Sequence, residues 1–254
     1  MTKAKDIAKY LDEELKVAEI EDHSNNGLQV QNSDNTEIKK VAFAVDANVE
    51  TFEKAAQAGC QMLIVHHGLI WDGIKSVTGL DYSRVKFLIE NDLALYGVHL
   101  PLDAHPKYGN NSQLAKLLSL KNLKEFGKYH GTAIGFIGQF SGTLADVKKI
   151  LENNDINTKC WEFGKKDNEQ IKTIGIVSGG GMMSIKEASE IAADLLLTGD
   201  DSSYSAYSWA KELQLTVIIG GHYKTEVWGV KALMPIIKEK FNVGVEFIDV
   251  PTPI

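Results

Sequence analysis

Short apolar runs alternate along the chain with longer stretches whose apolar residues recur every three or four positions. KKVAFAV, QMLIVHH, LALYGVH, TAIGFIGQF, IKTIGIV, DLLLTG, LTVIIGG and GVEFID read as strands. Between them VETFEKAAQAG, SRVKFLIEND, ADVKKILENN, MSIKEASEIAA and EVWGVKALMPIIKEKF read as helices. Most of the strand runs lack the every-other-residue polarity of a half-exposed sheet, so helices are expected on both sheet faces. That pattern is α/β layering. Near the start, Ile7, Leu11 and Leu15 fall on one face of an amphipathic helix. The glycine-rich LKEFGKYHGTAIGFIGQFSGTL, with CWEFGKKDNEQ, breaks the pattern and predicts a smaller middle unit inserted between two α/β halves.

The two halves read as copies. Residues 41–67 align without a gap on residues 174–200, strand on strand and turn on turn, with Ala55 on Ala188. Thr51 and Ser184 both stand where a helix N-cap is expected. A third strand follows in each half at a different offset. YGVHLPLD then sets His99 and Asp103 four apart, and IGGHYKTE sets His222 and Glu226 four apart.

Function in open α/β sheets gathers beyond the carboxyl ends of the strands. His66, His67, His99 and His222, with Asp103, Asp200 and Glu226, all fall at such ends. Neighbouring side chains on a strand point to opposite faces. His66 and His67 are therefore expected to share a site only where the strand has ended and Gly68 lets the chain turn. Imidazole nitrogen and carboxylate oxygen without thiolate suit Zn, Mn, Fe, Co or Ni. About five such ligands, one of them bridging, suit two ions roughly 3.5–4 Å apart.

Composition narrows the function class. The formal net charge of −7 argues against a protein that coats nucleic acid or anionic membrane. Cys60 and Cys160 stand in no CxxC pair, which disfavours thiolate zinc and dithiol redox chemistry. Cys60 reads as a small buried residue at a helix–strand junction. No segment approaches the ~20 apolar residues of a membrane span, and the N-terminal helix lacks a signal peptide's apolar core. A soluble cytoplasmic protein is expected.

Other motifs carry two readings each. SGGGMMS follows a strand and opens a helix, which suits either an anion-binding loop or close backbone packing. Asp200 and Asp201 can line the same cleft or cap a helix with the serines that follow. Trp71 and Tyr82 can stack on a base or cover an apolar wall. The asparagines of GNN at 109–111 can open a helix or contact substrate. His105 lies in a turn-rich loop near Asp103 and is a candidate acid or base; His23 has a weaker case, and His130 reads as a surface residue.

Taken together, SNNGLQVQ, LIVHHGLIW, YGVHLPLDAHPKYGNN, SGGGMMS, LLLTGD, GGHYKTEVWGV and FIDVPTPI resemble the NIF3 family of dinuclear-metal proteins, some of which are described as GTP cyclohydrolase 1 type 2. The resemblance spans essentially the whole chain. It implies a NIF3-like fold of two related α/β halves with a metal centre in the cleft between them. The expected domains are residues 1–125 with 210–254, and residues 126–209. The ligand set it implies is His66, His67, Asp103, His222 and Glu226, holding two divalent ions per subunit with Glu226 as the bridge. His99 lies outside that set, and His99 or His105 is the expected proton carrier. A homohexameric ring is implied as well.

The function so implied is metal-dependent hydrolysis of a nucleotide or related small molecule, with GTP imidazole-ring opening and formate release as the specific form. The alternative is a non-catalytic hexameric scaffold or regulator that stores, delivers or senses metal, or contacts nucleic acid.

Overall fold

The computed structural model describes residues 1–201 and 203–253. The chain begins with α1 (Ala4–Glu14), β1 (Gly27–Val30), β2 (Lys40–Asp46), α2 (Val49–Gln57), β3 (Met62–His67), α3 (Gly79–Glu90) and β4 (Ala94–Gly97). It continues with α4 (Leu100–Asp103), α5 (Asn110–Leu117), β5 (Lys121–Tyr129), β6 (Thr132–Thr143), α6 (Leu144–Glu152) and β7 (Lys159–Glu162). The remainder is β8 (Gln170–Val177), α7 (Ile185–Glu190), β9 (Leu195–Thr198), α8 (Tyr204–Glu212), β10 (Thr216–Ile219), α9 (His222–Phe241) and β11 (Gly244–Phe247). Among the described residues no helix is long and apolar enough to cross a membrane.

Two compact units divide the chain. One comprises Met1–Leu102 with Gly229–Val250, the other Asp103–Trp228 with the residues from Pro251. These limits differ from those drawn at 125 and 210 because α5 turns Leu114 and Ala115 into the core of the second sheet, against Ile171 and Ile174.

The first unit carries the sheet β1-β4-β3-β2-β11, parallel except for the antiparallel edge strand β1. Val41 to Val45 are all buried, as a strand covered on both faces requires. Ala42, Ala44, Leu63 and Val65 pack with Phe52 and Ala55 of α2 and Leu88 of α3. Ile7, Leu11 and Leu15 are buried as the N-terminal periodicity predicts.

The second unit carries the sheet β5-β6-β8-β9-β10-β7. Its centre, β8-β9-β10, is parallel, and β6 and β7 flank that centre antiparallel. Leu195 and Leu197 face the core built with α5 and α6, whereas Leu196 faces Ile185, Ala188, Ala206 and Ala210 on the other side. An unbroken leucine run thus feeds two cores at once. The region expected to form a separate middle unit is instead part of this sheet, since β6 pairs with β8 and β7 with β10. Strand β5 is mostly exposed at the edge, so its sequence lacks an apolar run.

The duplication is visible in strand register. Val41, Ala42 and Phe43 pair with Met62, Leu63 and Ile64; Ile174, Gly175 and Ile176 pair with Leu195, Leu196 and Leu197. Those are the partners the ungapped alignment matches. Each unit then adds a third parallel strand, β4 or β10, covered by an antiparallel edge strand, β1 or β7.

Helix starts depart from expectation in detail. Asn48, in extended backbone, caps α2 by accepting from the Thr51 amide at 2.9 Å, so Thr51 is the third helical residue and not the cap. Ser184 stands at the cap position of α7 but makes no side-chain cap bond there. Ser203 caps α8 through the Ala206 amide. Burial pushes the thiols of Cys60 and Cys160 up to about 11, consistent with inert cysteines.

Candidate functional site

In the first unit, β3 ends on His66 and His67, and β4 is followed by His99. The strand runs through His67, which pairs with Asp46, so the two histidines still lie on the strand rather than past its end as expected. Their ring centroids are nonetheless 4.7 Å apart, and His99 lies 5.1 and 5.6 Å from them. One ligand nitrogen from each of the three lies within 4.8 Å of the other two.

Each of these rings is held by its Nδ1. His66 Nδ1 donates to the Val98 carbonyl at 3.0 Å, and His67 Nδ1 to Asp46 Oδ1 at 2.7 Å. His99 Nδ1 donates to Asp22 Oδ1 at 3.0 Å. Carbonyl and carboxylate oxygens only accept, so Nδ1 carries a proton, and in its neutral form each ring keeps its lone pair on Nε2. This is the arrangement that prepares imidazoles for metal.

Asp22 is 2% exposed at its side chain. It also accepts from the Ser24 and Leu100 amides and from Asn26 Nδ2. Burial acts to raise its pKa, but the bond from His99, the His99 charge and the bonds from Asn26 and Ser24 outweigh it and hold the carboxyl down at about 2. Asn26 Oδ1 receives the His99 amide at 2.7 Å. Gln29 Oε1 accepts from the Leu69 and Ile70 amides just after the His-His pair. A Cβ at Gly68 would overlap the Gln29 side chain. The SNNGLQ segment therefore anchors the first unit's histidines.

Trp71 donates Nε1–H to the Gly68 carbonyl at 3.0 Å and sets its ring 5.0 Å from that of His99. It covers the histidines on that side. Tyr82 is exposed on α3, away from these contacts. His23 pairs with Asp72 at the surface, and His130 occupies an exposed turn with φ 46°.

The second unit presents Asp103, His222 and Glu226. Asp103 is buried, and its Oδ1 accepts from Asn110 Nδ2 at 2.8 Å and Ser178 Oγ at 3.2 Å. Asn111 Oδ1 in turn receives the Ser178 amide at 2.7 Å. Both asparagines are buried and position Asp103, leaving neither for substrate contact.

Both nitrogens of His222 face carboxylates: Nδ1 lies 3.1 Å from Asp200 Oδ2 and Nε2 3.2 Å from Glu226 Oε1. Those hydrogen bonds, from Asp200 and then Glu226, raise its pKa to about 10. A proton thus occupies the Nε2 position that a cation can take.

The glycine run serves packing. Gly179 has φ +56° and donates its N–H to Thr225 Oγ1 at 3.0 Å. Its carbonyl accepts from the Gly181, Gly199 and Asp200 amides. A Cβ at Gly179 would overlap Glu226 Oε1, and one at Gly181 would sit 2.6 Å from Val177 Cβ. Only glycine leaves room for the carboxylate, and the Gly179 and Gly181 amides are committed internally rather than offered to an anion.

His105 differs from the other site histidines. Its Nδ1 accepts from the amides of Lys107 at 3.2 Å and Tyr108 at 3.0 Å, and its ring stacks on Tyr108. Its proton therefore sits on Nε2, making that atom a donor. Asp201 forms an ion pair with Lys159.

In each unit the donor types suit a divalent transition metal: oriented imidazoles in the first, an imidazole and two buried carboxylates in the second, and thiolate in neither cluster. Sequence reasoning did not find Asp22, Asp46, Gln29 or Ser178. Asp46 offered one signal, an acid at a strand end in the first copy of the repeat.

Residues 2–253 match the model of the Duf34/NIF3 (NGG1p interacting factor 3) family. A Pyrococcus horikoshii protein named GTP cyclohydrolase 1 type 2 homolog is 47% identical over 251 residues, covering 97% of this chain and 98% of that one. Among solved structures, a Thermus thermophilus protein superposes with a TM-score of 0.89 at 32% identity over 100% of both chains. Reduced HcgD from Methanocaldococcus jannaschii superposes with a TM-score of 0.86 at 32% identity over 98% of both. With the family's model matched over almost its whole length, the chain belongs to the Duf34/NIF3 family.

Proposed function

We propose that this chain is a dinuclear metal-dependent hydrolase of a nucleotide or related small molecule, with His66, His67, Asp103, His222 and Glu226 as the ligands of two divalent ions. The observation that supports it most is the common orientation of the imidazoles, each held through Nδ1 by an oxygen acceptor. Divalent ions supply Lewis acidity toward a substrate oxygen and lower the pKa of water. The chain's own residues do the rest. Asp46 and Asp200 fix the rings of His67 and His222, and Asn110 and Ser178 hold Asp103. His105 presents Nε2–H and can hand a proton to a leaving group.

GTP is the first substrate to test, because the Pyrococcus relative carries the name GTP cyclohydrolase 1 type 2 homolog. The reaction would open the imidazole ring and release formate. The test is metal analysis of purified protein, then screening of Mn-, Fe-, Co-, Ni- and Zn-loaded forms against nucleotides, phosphoesters and cyclic amides. Metal-dependent turnover that His222→Ala removes supports the proposal. Bound metal with no substrate consumed under any loading favours a scaffold or regulator instead.

A further inference from the structure

We infer that His99 is itself a metal ligand, so that the first unit contributes three imidazoles, His66, His67 and His99. The inference rests on the metal-binding reading above and extends it to a residue outside the ligand set that the resemblance implies. Three observations carry it.

The first is position in the repeat. His99 follows the third parallel strand of the first unit, β4, and His222 follows the third parallel strand of the second, β10. Each is followed four residues later by an acid, Asp103 or Glu226. By register Gly97 matches Ile219, so His99 stands one place short of His222; what recurs is a histidine just past the third parallel strand with an acid four residues on. Of the two histidines so placed, only His222 belongs to the ligand set that the resemblance implies.

The second is support. His222 Nδ1 is held by Asp200, and His99 Nδ1 by Asp22. Asp22 is almost fully buried at its side chain and accepts from three further donors besides the His99 ring: the Ser24 amide, Asn26 Nδ2 and the Leu100 amide. Burying a carboxylate merely to hold a packing histidine is costly. The same carboxylate–imidazole pairing beside a metal raises ligand basicity and fixes ring direction.

The third is proximity. The His99 ligand atom falls within 4.8 Å of those of both His66 and His67, and all three rings keep their lone pair on Nε2. Three imidazoles so placed suit Zn or Co.

The test compares full-length wild type with His99→Ala and His99→Gln, the latter keeping an N–H donor for Asp22. Each is titrated with Co(II) and followed by calorimetry and the visible ligand-field bands. X-ray absorption of the Zn-loaded forms counts imidazoles. Circular dichroism confirms folding, and Asp22→Asn serves as a milder variant if both His99 variants misfold. A ligand role predicts at least ~10²-fold weaker binding of one ion, altered bands and one imidazole fewer, with added free imidazole restoring the bands of His99→Ala. For Asp22→Asn it predicts ~10–100-fold weaker binding with the imidazole count unchanged. Folded His99 variants with wild-type affinity, bands and imidazole count overturn this inference alone. If they misfold, an unchanged affinity in Asp22→Asn overturns it. Wild type that takes up no metal overturns the proposed function as well.

Discussion

Gly179 lies so close to Glu226 that a Cβ on it would overlap the carboxylate oxygen Oε1 and come within 3.1 Å of His222 Nε2. A glycine that the sequence leaves between anion loop and close packing is, in the fold, the floor beneath two proposed ligand side chains. Gly179→Ala is expected to displace Glu226 and lower metal affinity together with thermal stability. The left-handed φ alone accounts for about 1–2 kcal/mol. Gly59→Ala is the control, since Gly59 also has positive φ but nothing within 4 Å of its would-be Cβ. Metal affinity falling equally in both variants would contradict the steric account.

Asp22 makes a second prediction, for acid stability. Its folded pKa of about 2 lies below the ordinary 3.8. A depressed carboxyl contributes stability above its unfolded pKa and loses it as pH falls through the folded one. The contribution, about 2 kcal/mol for such a shift, should therefore disappear between roughly pH 4 and pH 2. Urea unfolding of wild type and Asp22→Asn checks this. The two should converge at the acid end and differ near neutrality; a constant gap across that window would refute it.

His222 makes a third. In the metal-free protein Asp200 and Glu226 hold its pKa up at about 10, above the ordinary 6.5. The stabilisation from this pairing is fully present below pH 6.5 and is lost as pH rises through about 10. Metal must displace the Nε2 proton, so binding at neutral pH should release a proton and strengthen as pH rises. Calorimetry in buffers of different ionisation heat measures that release. Uptake without proton release would argue against His222 as a ligand.

His105 separates proton transfer from metal binding. His105→Ala should leave metal content unchanged while turnover falls by perhaps ~10²–10⁴-fold, the range for a lost general acid or base. His222→Ala should lose metal and turnover together. Metal lost from the His105 variant would move that residue into the ligand set.

A final expectation concerns assembly. The family resemblance proposes six chains in a ring, and light scattering of the metal-loaded protein should report a mass near six times the 28.0 kDa chain. A monomer across micromolar concentrations would reject it.

The fold class, the eight apolar strands and the repeat were legible in the sequence because burial on both faces demands continuous Val, Ile and Leu, and because duplicated strands keep their register. So was the chemistry of the candidate ligands, since strand ends are local features. Strand β5 escaped notice because an exposed edge needs no apolar run, and β1 and β7 because they too are antiparallel edge strands, half-buried and interrupted by polar residues. The Asp22–His99, Asp46–His67 and Asn111–Ser178 pairings span 77, 21 and 67 positions and have no local signature. Only the tertiary structure decided them, because a buried polar group takes its partner from whatever the packing brings within hydrogen-bond reach. The same packing decided between the two readings of SGGGMMS in favour of the close approach that admits Glu226.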